Sequence, residues 1–309
     1  MLSYQAIIFS LMWLTAASAI AAPDCPPTPI ISRSMLKSLA IKAQPDRGFL
    51  WIAIKGKNFS YLYGTIHVAK IDWDFPGPTI RRALSVSKTV AVEVDTSKPS
   101  FVSELNREVE ASEQPGQKEL KTYLEDQVNE LIRESCLSEK QFENMSLSSK
   151  IASLTLLSAR DEGYYPDFSI DSSLIGYAKT QAKNVFELET TASQASTIAV
   201  DLSTAANYVE QIKNGQAKQD VLKLAKAWEL GDLALLESSN LCNCETIHKY
   251  TDNSSKRNLA LANAIAETFS DSDNVFVAIG VLHMIGPQGV IAELKRMGYS
   301  VYRVPFPTR

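Results

Sequence analysis

Only three histidines occur among the 309 residues, and two of them stand in the same setting. His67 closes Gly64-Thr65-Ile66-His67 and His283 closes Gly280-Val281-Leu282-His283, each directly after a segment with strand character. A glycine at a strand end lets the backbone bend sharply and approach a ligand or another chain closely. The acids repeat the pattern in Glu93-Val94-Asp95 and Glu187-Leu188-Glu189. Inside a strand, period two puts both carboxylates of such a pair on one face. Any one of these acids reads as a strand-end surface charge, and either histidine as a satisfied core residue. The ordered set, Gly-x-x-His, acid-x-acid, acid-x-acid, Gly-x-x-His, points instead to a divergent duplication. Its strand ends are expected to converge on one site, where open α/β sheets place ligands. Two imidazoles with two to four carboxylates make a donor set for zinc, manganese, cobalt or iron rather than calcium. Such a cation would bring bound water towards a pKa of ~7 and supply hydroxide, with a neighbouring carboxylate as general base.

The elements that must position these residues can be read from periodicity. Residues 49–54 and 61–65 form a hairpin about Lys55-Gly56-Lys57-Asn58. Pro76-Gly77-Pro78 opens a short helix, and 89–94 is a Val-rich strand. A helical pattern then runs from 100 to 160, a further helix covers 170–182, and 184–188 is a strand. In the second helical block Trp228 precedes Gly231 and Asp232, a helix stop followed by a helix cap. Strand 275–279, helix 287–297 and strand 300–304 complete the order. The expected class is α/β (α+β): a central mixed sheet from two pseudo-repeated halves, with large helical insertions at about 100–165 and 193–270.

Composition sets the boundaries. With 45% hydrophobic and 21% charged residues the chain is globular rather than disordered. A balance of 31 Lys and Arg against 35 Asp and Glu leaves no basic footprint for nucleic acid. Residues 7–20 are an apolar run ending in Ala19-Ile20-Ala21, with Pro23 beyond, so 1–21 reads as a signal peptide. An extended segment, 22–48, and a single domain, 49–309, follow. No later segment reaches transmembrane length, and the expected location is the periplasm or outside the cell. Export makes disulfides the better reading of Cys25, Cys136, Cys242 and Cys244. Cys242 and Cys244 are too close in sequence to pair easily with each other, so one of them is expected to bridge to Cys25 or Cys136. The competing metal site, Cys242-x-Cys244-x3-His248, has a shorter gap than zinc knuckles use. His-Glu-x-x-His, Gly-x-Ser-x-Gly and phosphate-binding loops are absent from the sequence.

Residues 61–95, with Gly-Thr-Ile-His followed by Glu-Val-Asp, resemble the opening of the TraB/GumN family. Further matches are Asp171 with Leu174 and Ala178, Glu187-Leu188-Glu189-Thr190, Ala227-Trp228 with Gly231-Asp232, Arg257-Asn258, and Gly280 through Gly286. That family includes the TIKI metalloproteases and has paired Gly-x-x-His motifs as its hallmark. The resemblance implies a metal-dependent hydrolase fold shared distantly with erythromycin-esterase-like (EreA) and ChaN-like proteins. It carries His67, Glu93, Glu187 and His283 over as metal-binding and catalytic residues. Asp95, Glu189, Arg257 and Asn258 become candidates for supporting or substrate-binding roles. The function it implies is an exported metallopeptidase using manganese, cobalt or zinc on a peptide or protein substrate. The alternative is a non-catalytic protein that sequesters a peptide, a haem or an iron compound.

Overall fold

The computed structural model describes residues 44–113, 116–238, 247–269 and 274–307, together with Cys25, Ser32, Ser34, Met35, Ser38, Leu39 and Lys42. The expected signal peptide lies outside these residues. Six strands form one mixed sheet: β1 (Phe49–Lys55), β2 (Asn58–Thr65), β3 (Thr89–Val92), β4 (Asn184–Glu187), β5 (Val275–Gly280) and β6 (Ser300–Arg303), in the order β4-β3-β5-β2-β1-β6. β1 and β2 are the expected hairpin, closed where Lys55 faces Asn58. β5 is parallel to both β2 and β3, and β3 is parallel to β4. β1 pairs antiparallel with both of its neighbours.

The central place of β5 follows from its composition. Val275 to Ile279 are all buried, the unbroken apolar run of a parallel strand covered on both faces. The helix Ile170–Thr180 packs over β3, β4 and β5. Helical insertions stand where the sequence places them, between β3 and β4 and between β4 and β5. They meet each other, because Val128, Ile132 and Ile151 of the first insertion share a small hydrophobic core with Ala205 and Val209 of the second. The main core, built on the sheet and the helices around it, has other members.

Trp228 ties the second insertion to the site-bearing strands. Its helix, Gln216–Leu230, stops at Gly231 with φ +62°, and Asp232 then caps the next turn by accepting from the Leu235 N–H (2.9 Å). The Trp228 ring is buried, stacks on Trp73 at 5.1 Å and donates its indole N–H to the Gly64 carbonyl (2.7 Å). Gly64 is glycine for want of room: a Cβ there would stand 2.7 Å from Val281 Cγ2 and 3.1 Å from its backbone. The first residue of one Gly-x-x-His motif thus rests against the second residue of the other. Gly64→Ala is expected to destabilise the fold by about 1–3 kcal/mol through overpacking. A urea unfolding midpoint equal to that of the unmodified chain would contradict this contact.

Two expectations are corrected. Cys25 is bridged to Cys136, with Cα atoms 5.6 Å apart. A cysteine forms one disulfide, so neither partner remains for Cys242 or Cys244, which lie outside the described residues. Within the segment expected to be extended, Ser34, Met35, Ser38 and Leu39 are helical, and the Lys42 N–H donates to the Ser38 carbonyl (3.1 Å).

Candidate functional site

Four neighbouring parallel strands, β4, β3, β5 and β2, end on the same side of the sheet. Glu189 lies two residues past β4, Glu93 one past β3, His283 three past β5 and His67 two past β2. The long helix Ile247–Thr268 adds Arg257 and Asn258 from above, and the helix Thr191–Ile198 adds Gln194.

Arg257 is the hub. Its Nη2 donates to Glu93 Oε2 (3.0 Å) and to Glu189 Oε1, and its Nε donates to Glu189 Oε2 (2.9 Å). Gln194 Nε2 donates to the same two carboxylates, at 2.6 Å each. Glu93 Oε1 accepts from the Gly280 N–H (2.6 Å), and a Cβ on Gly280 would stand only 3.2 Å from that oxygen. Burial alone would raise the Glu93 carboxyl. The positive charge around it and the Gly280 N–H outweigh burial and hold the pKa at about 2. Burial likewise works against the Arg257 charge, and Glu189 and Glu93 more than offset it.

The two histidines have different work. Asn258 Nδ2 donates to the Gln288 carbonyl (2.9 Å), which leaves Asn258 Oδ1 as the atom facing His283 Nδ1 (2.7 Å). An amide oxygen only accepts, so the hydrogen-bond network assigns the proton to Nδ1 of His283. Its Nε2 lone pair then accepts from Arg257 Nη1 (2.8 Å). Burial pushes the His283 pKa down, in keeping with a neutral ring. Consecutive residues of one helix therefore bracket this imidazole, Arg257 at Nε2 and Asn258 at Nδ1.

His67 instead pairs through Nδ1 with Asp171 Oδ2 (2.9 Å), and the Thr65 hydroxyl donates to Asp171 Oδ1 (2.6 Å). The Asp171 carboxylate pushes the His67 pKa up to about 9. The His67 side chain is 56% exposed, and Nε2 is the ring nitrogen left available. Asp171 sits in the first turn of Ile170–Thr180, where the helix N-terminus favours a carboxylate.

Glu187, expected beside Glu93, stands elsewhere. Its Oε1 accepts from the Asp95 N–H (2.9 Å) and its Oε2 pairs with Lys98. Asp95 pairs with Lys179 (2.9 Å) and accepts from Ser97. The acids sort as Glu93 with Glu189 and Asp95 with Glu187, across the motifs rather than within them. Alternation fails because β3 stops at Val92 and β4 at Glu187. Beyond those points the turns, anchored by Leu188 N–H to the Val92 carbonyl and Glu189 N–H to the Glu93 carbonyl, aim the side chains.

A divalent cation does not fit this donor set. The lone pairs of Glu93, Glu189 and His283 that would face it are directed at a guanidinium, and Glu187 is engaged by Lys98. Among the described residues no three His, Cys, Asp or Glu side chains are arranged to hold a metal. His67, Glu93, Asp171 and Gln194 do open onto a common cleft of about 410 Å³, otherwise walled chiefly by apolar side chains. Asp171 and Gln194 are the two site residues that sequence patterning did not single out for chemistry.

No curated protein and no solved structure matches the chain. The model of the TraB/PrgY/gumN family matches residues 49–303, from the start of β1 to the end of β6 and through every residue of the site. The chain belongs to the TraB/PrgY/gumN family.

Proposed function

We propose that the chain is an exported hydrolase that cleaves acyl bonds in peptides. The observation that carries this reading is the pairing, in one cleft, of an Asp171-held His67 with an ionised Glu93. At neutral pH His67 holds a proton that Nε2 gives to the leaving amine, and the ionised Glu93 favours that imidazolium and orients the attacking water. Arg257, kept in place by Glu189 and His283, keeps Glu93 ionised and supplies positive charge without a metal ion. The Cys25–Cys136 bridge supports an oxidising compartment. Among the described residues no helix is long and apolar enough to cross a membrane.

The test is a peptide library read by mass spectrometry, with untreated, chelator-treated and metal-supplemented protein. Cleavage that survives the chelator and is lost in His67→Ala is expected. Cleavage only with added manganese, cobalt or zinc would show that a metal displaces Arg257, against the arrangement described above. No cleavage under any condition would favour a sequestering protein.

A further inference from the structure

We infer that the cleft beside His67 is a specificity pocket for a bulky, uncharged, apolar group of the substrate, such as a Leu or Phe side chain next to the scissile bond. Both helical insertions wall it. Phe101 and Leu105, one turn apart on Phe101–Ser112, face it from one side, and Ala152 and Leu156, one turn apart on Leu147–Leu157, from another. On Thr191–Ile198 the same spacing puts Gln194 on the carboxylates and Ile198 on the cleft. The pocket is therefore continuous with the reactive set, and one helix serves both.

Charge argues for the same occupant. No Lys or Arg lines the cleft among the described residues, and its two carboxylates, Glu93 and Asp171, are already engaged. The one cationic side chain of the lining, His67, is paired with Asp171, so a charged substrate group would lose water there and find no unpaired counterion. The space, about 410 Å³, is within the range of ligand pockets and equals roughly a dozen waters. Burying one large apolar side chain in it accounts for a preference of about tenfold or more over glycine.

The position of the scissile bond rests on the hydrolase reading, whereas the binding does not, so binding is measured first. N-acetyl amides of Leu, Phe, Gly, Lys and Glu are titrated into the full chain and followed by calorimetry. Leu and Phe are expected to bind about tenfold or more tighter than the other three. Ala152→Trp should remove that preference by filling the pocket. Val102→Asp, at a rim position that is 58% exposed and so tolerant of change, should weaken Leu and Phe several-fold with an unchanged circular dichroism spectrum. Equal affinities, tightest binding of the Lys or Glu amide, or a preference untouched by a folded variant would overturn the pocket. Apolar preference without turnover of any peptide would leave the pocket standing and remove the hydrolase reading. Turnover without apolar preference would do the reverse.

Discussion

Replacing Arg257 by Met is expected to abolish turnover and to destabilise the fold by about 3–5 kcal/mol, the usual effect of removing one partner from a buried ion pair. The Arg257 side chain is 12% exposed, and those of Glu93 and Glu189 are 6% and 7% exposed. Without the guanidinium, two carboxylates stay buried side by side, and His283 loses the donor to its Nε2. Arg257→Met with Glu189→Gln should recover part of the stability but none of the activity. The acid limb carries a second signature. Glu93 has its folded pKa held below the ordinary value of 4.5, at about 2. Its contribution is present above pH ~4.5 and is lost as pH falls from there towards ~2. Urea unfolding across that window should show this loss in the unmodified chain and a shallower slope in Arg257→Met. A variant within about 1 kcal/mol of the parent would mean that Arg257 is not the hub.

His67→Ala should lower turnover by about 10²–10⁴-fold, the range supplied by a positioned acid or base. Asp171→Asn tests why. With only three histidines in the chain, the His67 ring proton can be followed by NMR. Its midpoint should lie near 9 in the unmodified protein, because Asp171 favours the imidazolium. In Asp171→Asn it should fall towards the ordinary 6.5, since the carboxylate that chiefly raises it is gone. On the proposed hydrolysis, turnover of the unmodified protein should decline above pH 9, and that of the variant should decline two or more pH units lower. For stability the sign is the opposite of Glu93: a raised imidazole pKa stabilises below pH ~6.5, and this is lost as pH rises through ~9. That contribution is small, because an exposed ring is screened by water. A midpoint near 6.5 in the unmodified protein would remove the acid role from His67.

The sheet, the order of its strands and both helical insertions were legible because each strand carries its own apolar pattern. Glu93 and His67 were legible as residues tied to a strand end, and Arg257 and Asn258 only through the family resemblance. The choice between Glu187 and Glu189 was not. It depends on where β3 and β4 stop, and one residue of strand length decides which acid turns towards Arg257. Asp171 reads in sequence as an ordinary acid in the first turn of a helix, and its contact with His67 spans 104 positions. The twin motifs imply twin histidines, yet tautomer and charge come from second partners, Asn258 for one ring and Asp171 for the other. No local pattern encodes those.

Leu124, Val128, Ile151 and Val209 belong to a hydrophobic core that contains none of the candidate site residues and is distinct from the core built on the sheet. A layer with its own core opens as its own cooperative unit, at a lower free energy than the central strands. The helix Leu147–Leu157 commits Ile151 and Leu154 to that core and Ala152 and Leu156 to the cleft. Opening of the layer would therefore move one wall of the cleft away from His67 and Glu93 while the strand ends stay in register, so access to the cleft is expected to depend on packing among aliphatic side chains outside it. Amide protons of this layer should exchange with deuterium ahead of those in β5, on the timescale that limits access.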